Sequence, residues 1–406
     1  MSNANVVIRF SYPLGRFYET NSCCWCVVIP LNQRLQVASY TVNRITGDHM
    51  KTLRYVLGML LITFVLSVNA YAQSISQIVV LGDSLSDNGN FYAATGSPAP
   101  PYWQGRASNG PVAVEYLAQS LGVPLRDFAW YAATTGIGNV ADGGTVDTFG
   151  PYSLPGITTV FQGALFYHLF PIDPHALYVV WGGPNDFWYV TDDASASVAI
   201  GKAVNNLVNI VTTLQSLGAK QILVPNMPDL GKLPLILAYG PLISDFFTQI
   251  SLGFNQALQA SLPQGVHYFN TFSLFANIVG NPDEYGFANV KDPFMLAPLG
   301  ADPNKYLSFD GVHPTTAGHA ILGNALYQSV APTVIIGGCN SGVPNPLFST
   351  GYTISDLIAQ AAISANNHGQ FVSTVASITN GLMKSGVVSG SQKGAIQSCA
   401  AKAKIP

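Results

Sequence analysis

Ser84 follows a short apolar run, 78–81, and the turn former Gly82, with an acid, Asp83, between them. A serine at the end of a buried strand is a candidate nucleophile, because open α/β sheets carry ligands and chemistry at the carboxyl ends of their strands. The competing reading of Gly82-Asp83-Ser84-Leu85 is an ordinary strand-to-helix turn capped by Asp83 or Ser84. Nucleophilic catalysis requires more: a base, an orienting acid and oxyanion donors. Asp310 stands three residues before His313 in a segment, 308–315, that also holds Gly311 and Pro314. On one tight loop Asp310 could accept from the imidazole Nδ1–H, leaving Nε2 free to take the Ser84 proton. His168, His175, His267, His319 and His368 have no acid at that spacing with turn chemistry around it and are expected to be ordinary. Asn185, in Trp181-Gly182-Gly183-Pro184-Asn185-Asp186, offers a side-chain amide that can donate to an oxyanion; its bland reading is a turn asparagine. The small-residue segment 128–136 could aim a backbone N–H at the same point.

Something must hold these groups together, since Ser84 and His313 are 313 − 84 = 229 residues apart. Short apolar runs at 78–81, 177–181, 221–225 and 267–269 read as buried strands. Helical patterns at 112–121, 197–217 and 241–262 lie between them. Such alternation predicts an α/β fold, a three-layer α/β/α sandwich around a mainly parallel sheet. Gly182-Gly183-Pro184 and Asn226-Met227-Pro228 end two of the strands on the face that carries Ser84. In the last seventy residues or so the texture changes. Ile354, Leu357, Ile358, Ala361 and Ala362 mark one amphipathic helix, and Phe371, Val375, Ile378 and Leu382 a second, predicting a helical hairpin docked on the main domain.

Apolar residues make up 48% of the 406 and charged residues only 9%, which supports a large core. A net charge of −3 leaves no basic footprint for nucleic acid. The low charge, with 19 Tyr and 21 Phe, suits apolar substrates or transient contact with a membrane surface. From Met50 the chain reads as an export leader: Lys51 and Arg54, then the apolar run 56–68, then Ala70-Tyr71-Ala72 before Gln73. Cleavage between Ala72 and Gln73 is expected, against an uncleaved membrane anchor, for which the 13-residue run falls short of the ~20 residues of a span. The destination is extracellular or periplasmic. Residues 1–49 fit no part of this scheme and are expected to come from an upstream start-site assignment. Their Cys23-Cys24-Trp25-Cys26 cluster lacks His or acid at ligand spacing, so no metal is expected. Cys339 and Cys399 are then the two cysteines of an exported chain and are expected to pair, against two buried free thiols. The domains follow as 50–72 leader, 73–336 main domain and 337–406 disulfide-clipped extension.

Together the four polar clusters resemble the SGNH/GDSL esterases and lipases, over roughly residues 76–336. The resemblance is densest at 81–91, 181–187 and 309–319, with echoes at 225–231 and 254–258. The string Gly-Asp-Ser-Leu-Ser-Asp-Asn-Gly-Asn from Gly82 is similar to the branch holding secreted lipases, phospholipases and haemolysin-like esterases. No Gly-x-Ser-x-Gly elbow is present, which disfavours the other common α/β hydrolase arrangement. The resemblance implies Ser84 as nucleophile and, through its N–H, oxyanion donor; Asn185 as side-chain donor; His313 as base; Asp310 as orienting acid. Its remaining donor is a glycine N–H, and here the matching position is Ala132, with Gly136 as the alternative. Alanine serves there provided the backbone does not need φ > 0. Hydrolysis of lipid or lysophospholipid esters without a cofactor is expected, with activity falling below roughly pH 6. Acyl transfer to a sterol or other alcohol is the alternative, and a non-catalytic binding module the third reading.

Overall fold

Apolar runs that the chain buries on both faces become the strands of one parallel sheet. The computed structural model describes residues 75–169 and 171–405. The leader at 50–72, its Ala72/Gln73 junction, residues 1–49 and the Cys23–Cys26 cluster lie outside the described residues. In chain order the main domain runs β1 (Ile78–Gly82), α1 (Asn90–Thr95), α2 (Ala113–Leu121), β2 (Leu125–Asp127), α3 (Ile157–Phe166), β3 (Leu177–Trp181) and α4 (Asp193–Ser216). It continues through β4 (Gln221–Pro225), α5 (Pro234–Leu237), α6 (Pro241–Ser261), β5 (His267–Phe269), α7 (Thr271–Gly280) and α8 (Thr316–Val330).

The spatial order is β2, β1, β3, β4, β5, all parallel. Strand alternation divides the core into two layers. Val79, Leu81, Tyr178, Val180, Ile222 and Val224 face α3, α4 and α6, while Ile78, Val80, Leu177, Val179 and Leu223 face α2 and α8. This is the expected three-layer sandwich. The chain steps outward from β1 to β2 and then returns to β3, so the strand order reverses between β1 and β3, the position where such sheets open a crevice. Ser84 leaves β1 and Asn185 leaves β3 at that point.

Two differences from expectation in this domain have local causes. β2 is three residues long, half-buried and includes Arg126 and Asp127, so no apolar run announces it. α4 begins at Asp193 rather than near 197, because Asp192 caps it and accepts the Ser195 N–H at 2.8 Å.

Beyond α8 the two expected helices are present, but as parts of a larger extension than a helical hairpin. A two-stranded antiparallel hairpin, β6 (Thr333–Ile336) and β7 (Cys339–Pro344), precedes three helices, α9 (Ile354–Ile363), α10 (His368–Lys384) and α11 (Gly390–Lys402). Gly337 and Gly338 make its turn with φ of +53° and +82°, the left-handed pair that a two-residue hairpin favours. The hairpin straddles the boundary expected at 336/337. Val334, Ile336, Ile354, Ile358, Phe371 and Ile396 build a separate small core there. Cys339 and Cys399 are disulfide-bonded, joining β7 to α11 across a separation of 60 residues. Closing such a loop removes unfolded-chain entropy equivalent to roughly 4 kcal/mol at most. The extension also covers the open edge of β5, where the Tyr268 N–H donates to Gly351 O at 2.9 Å. Among the described residues no helix is long and apolar enough to cross a membrane.

Candidate active site

The turn after β1 lifts Ser84 to the carboxyl edge of the sheet, where Asp83 Oδ1 accepts the Leu85 N–H at 3.0 Å. The loop 308–314 reaches the same point from the far end of the domain. It is closed by a bridge between Ser308 and Pro314 and by the Phe309 N–H donating to His313 O at 2.8 Å. Thr315 then caps α8 through the Gly318 N–H, which fixes where the loop ends. His313 Nε2 lies 2.8 Å from Ser84 Oγ, and its Nδ1 lies 2.7 Å from Asp310 Oδ2. The other carboxylate oxygen, Oδ1, accepts the N–H groups of Val312 and His313 at 2.9 and 2.8 Å. The three side chains are thus in one hydrogen-bonded line and all buried or nearly so.

Asn185 joins them from the short 3₁₀ turn after β3. Gly183 makes that turn at φ +134°, with Phe254 packed so close that a Cβ would lie 2.8 Å from its ring. The Asn185 amide donates one N–H to Ala133 O at 3.0 Å and accepts from Trp188 Nε1 at 3.1 Å. These partners define which end is nitrogen and leave the second N–H of Nδ2 for the cavity. Ala132 lines the same cavity, and Gly136 does not; a Cβ on Gly136 would meet Val146 O at 2.0 Å. The N–H groups of Ser84 and Ala132 find no acceptor among the described residues. One condition attached to Ala132 fails. Its φ is +60°, the left-handed conformation that alanine pays roughly 1–2 kcal/mol to adopt.

Neighbouring bonds impose that conformation. Asp87 accepts the N–H groups of Gly89, Asn90, Phe91 and Tyr131, at 2.6 to 3.2 Å, and so ties the Ser84 turn to the residue before Ala132. Val140 N–H donates to Ala132 O at 3.0 Å, and Asp186 accepts both the N–H and hydroxyl of Thr135. Asp87 and Asp186 escaped the sequence reading as site residues, although Ser-Asp-Asn-Gly-Asn is a turn-forming string whose acid could have been suspected of capping backbone donors. The aromatic pairs Tyr102-Trp103 and Phe187-Trp188-Tyr189 stand close in sequence to these motifs, as candidates to line an acyl groove or as packing under the loops. Tyr102, Phe187, Trp188 and Tyr189 line the cavity.

Burial presses on every ionisable group here. It raises the Asp310 carboxyl, but the His313 imidazole and the N–H donors outweigh it and hold the group well below the usual carboxylate range. For His313 burial works against the charged form, yet Asp310, with Asp83 adding to it, raises the pKa above the usual 6.5. Asp83 is pushed by burial up to about 6, and Asp186 up to about 7. His319, packed behind the site, is driven down to about 3 by burial and accepts the Ala113 N–H through Nδ1, as befits a neutral structural histidine.

His267 departs from the expectation of an ordinary histidine. Its Nε2 lies 2.7 Å from Asp356 Oδ2 and 2.8 Å from Ser329 Oγ, in a buried cluster between β5, α8 and α9. A relay needs different ring nitrogens for acid and serine, and here one nitrogen faces both. The cluster pins the extension to the main domain. Among the described residues no group of His, Cys, Asp and Glu could hold a metal ion.

The Ser84 line opens into a cavity of about 500 Å³. Its walls are mostly apolar, with Val140, Phe187, Leu230, Leu233, Ile236 and Phe247 among them. Residues 78–326 match the model of a family described as GDSL-like Lipase/Acylhydrolase. The chain is 30% identical over 236 residues to a phosphatidylcholine-sterol acyltransferase of Aeromonas hydrophila, covering 53% of this chain and 64% of that protein. It is 26% identical to a thermolabile hemolysin of Vibrio parahaemolyticus, with 63% and 64% covered. The esterase EstA of Pseudomonas aeruginosa is 28% identical, with 62% and 46% covered. The chain therefore spans less than two thirds of the length of these relatives.

Proposed function

Because the chain belongs to the GDSL-like lipase/acylhydrolase family, we propose that it is a serine esterase acting on lipid carboxylic esters through an acyl-serine intermediate. The observation that carries this reading is the 2.8 Å contact between Ser84 Oγ and His313 Nε2, backed by Asp310 at Nδ1. His313 takes the Ser84 proton as Oγ attacks the ester carbonyl. The Ser84 and Ala132 N–H groups and the free Asn185 N–H meet the oxyanion. His313 then protonates the leaving alcohol, and water, activated by the same imidazole, releases the acid. The apolar cavity suits an acyl chain.

Lysophospholipid is the first substrate to test. The chain from Gln73 is incubated with lysophospholipid, with and without a sterol, and the acyl products are identified. Free fatty acid in both cases supports hydrolysis; acyl sterol supports the transferase alternative, which the similarity to a phosphatidylcholine-sterol acyltransferase favours. Absence of either product, with simple esters also uncleaved, would sink the reading. Transient lipid contact belongs to the same proposal. Trp188, Tyr239, Leu242 and Leu296, on segments after β3, after β4 and before the 308–314 loop, are each more than half exposed. Co-sedimentation of the Ser84→Ala chain with the lipid vesicles tests this, and its complete absence from the pellet refutes it. Export and cleavage at Ala72/Gln73 are also proposed, to be checked by N-terminal sequencing of secreted protein.

Two results should follow from the geometry. Asn185→Ala removes one oxyanion donor and is expected to lower kcat by about 10²–10³ with the fold intact. Unchanged turnover would remove Asn185 from the hole. The second concerns pH. His313 must be neutral to act as base, and its pKa is raised, so kcat/KM should decline as pH falls through a value above 6.5 rather than near pH 6. A profile flat down to about pH 5 would exclude His313 as the base.

A further inference from the structure

Residues 102–110 form a strap across the 308–314 loop. Ser108 Oγ donates to Pro314 O at 2.9 Å, and Asn109 Oδ1 accepts the Thr316 N–H at 2.8 Å. Arg106 lies 4.8 Å over the Trp103 ring and pairs with Glu115 at 2.7 Å, which anchors the strap to α2. At its start the Tyr102 ring meets Phe309 edge-on at 5.3 Å, and its hydroxyl donates to Asp310 Oδ2 at 2.9 Å. That is the oxygen that faces His313 Nδ1. With Val312 and His313 N–H on Oδ1, the carboxylate has four donors around its two oxygens.

We propose that Tyr102 is a positioning residue of this site: its hydroxyl holds the Asp310 carboxylate facing the imidazole and lowers the basicity of the oxygen that His313 uses. This rests on the acyl-serine reading above. A donor shared on Oδ2 draws charge from the bond to Nδ1, so Asp310 stabilises the imidazolium less than it would alone. The strap thereby sets the pH at which the base becomes available. Burial and the neighbouring Asp310 both raise the Tyr102 phenol above its ordinary value, so it remains a donor throughout the working range.

The other ionisable groups that face the pair are Asp83 from the turn after β1, Tyr131 from the loop after β2, whose ring lies 5.5 Å from the imidazole, and His319 from α8. None of them changes in the test. Tyr102→Phe keeps the ring against Phe309 and removes only the hydroxyl. The acid limb of kcat/KM for a soluble ester is expected to move to higher pH by about half a unit. Replacing Tyr102 by 3-fluorotyrosine, nearly isosteric and a stronger donor, should move it to lower pH, and serves if the Phe variant folds poorly. Opposite displacements support the proposal. A limb unmoved in the folded variants, or moved the same way by both, overturns it. Ser84→Ala is run alongside: if it retains the rate, the acyl-serine reading fails, whereas an inactive Ser84→Ala with an unmoved limb in the Tyr102 variants defeats the positioning role alone.

Discussion

Ser84→Ala is expected to lower kcat for ester cleavage by about 10⁶, and His313→Ala by a similar factor, with the double variant no worse than either. The reasoning is geometric. Ser84 Oγ has His313 Nε2 at 2.8 Å, and the oxygen supplies the bond that the intermediate needs. Without the oxygen the imidazole has nothing to deprotonate except water, and without the imidazole the hydroxyl remains protonated and weakly nucleophilic. Each loss disables the same step, so the two do not add. The turn itself rests on Asp83 and Asp87 accepting backbone N–H groups, and Ser84→Ala leaves those bonds in place. The thermal midpoint should therefore shift little. Single-turnover rates with a chromogenic ester decide the matter: activity within tenfold of the parent chain would rule out Ser84 as nucleophile.

Asp310→Asn should cost about 10⁴ in kcat, by inverting the imidazole tautomer rather than by disturbing the fold. The amide has only one orientation that fits. Val312 and His313 N–H both point at Oδ1 and demand an oxygen there, which sends the NH₂ to the Oδ2 position, where the Tyr102 hydroxyl can turn to accept from it. An NH₂ facing Nδ1 donates to it, so the ring proton moves to Nε2 and the nitrogen facing Ser84 can no longer accept. Asp310→Ala leaves Nδ1 without that donor and so separates tautomer inversion from simple loss of the acid. Proton and nitrogen NMR of the imidazole would show the tautomer directly. Normal turnover with the Nε2–H tautomer present would refute the account.

Much of the scaffold was legible because burial on both faces writes itself into composition. β3, β4 and β5 begin and end where the apolar runs do, and β1 extends one residue further, to Gly82. β2 escaped because an edge strand of three half-buried residues has no such signature. The β6–β7 hairpin carried the Gly-Gly signal of a tight turn after the β-branched run 333–336, a cue open to a closer reading. α11 had none, since only Ile396, Cys399 and Ala400 are buried along its thirteen residues.

By itself the sequence determined which polar residues could do chemistry: Ser84 at a strand end, Asp310 and His313 three apart in a turn, Asn185 after Gly-Gly-Pro, and two cysteines to pair. These are local facts of residue type and spacing, and local physics suffices to read them. Only the tertiary structure decided what each of them meets. It brought Nε2 to Ser84 across 229 residues, bound Tyr102 to Asp310 across 208, and tied His267 to Asp356 across 89. It also set Ala132 at φ +60° among bonds made by Asp87, Val140 and Asp186 around it. The reason is one of range: a hydrogen bond acts over about 3 Å, and only the packed sheet determines which distant segments come that close.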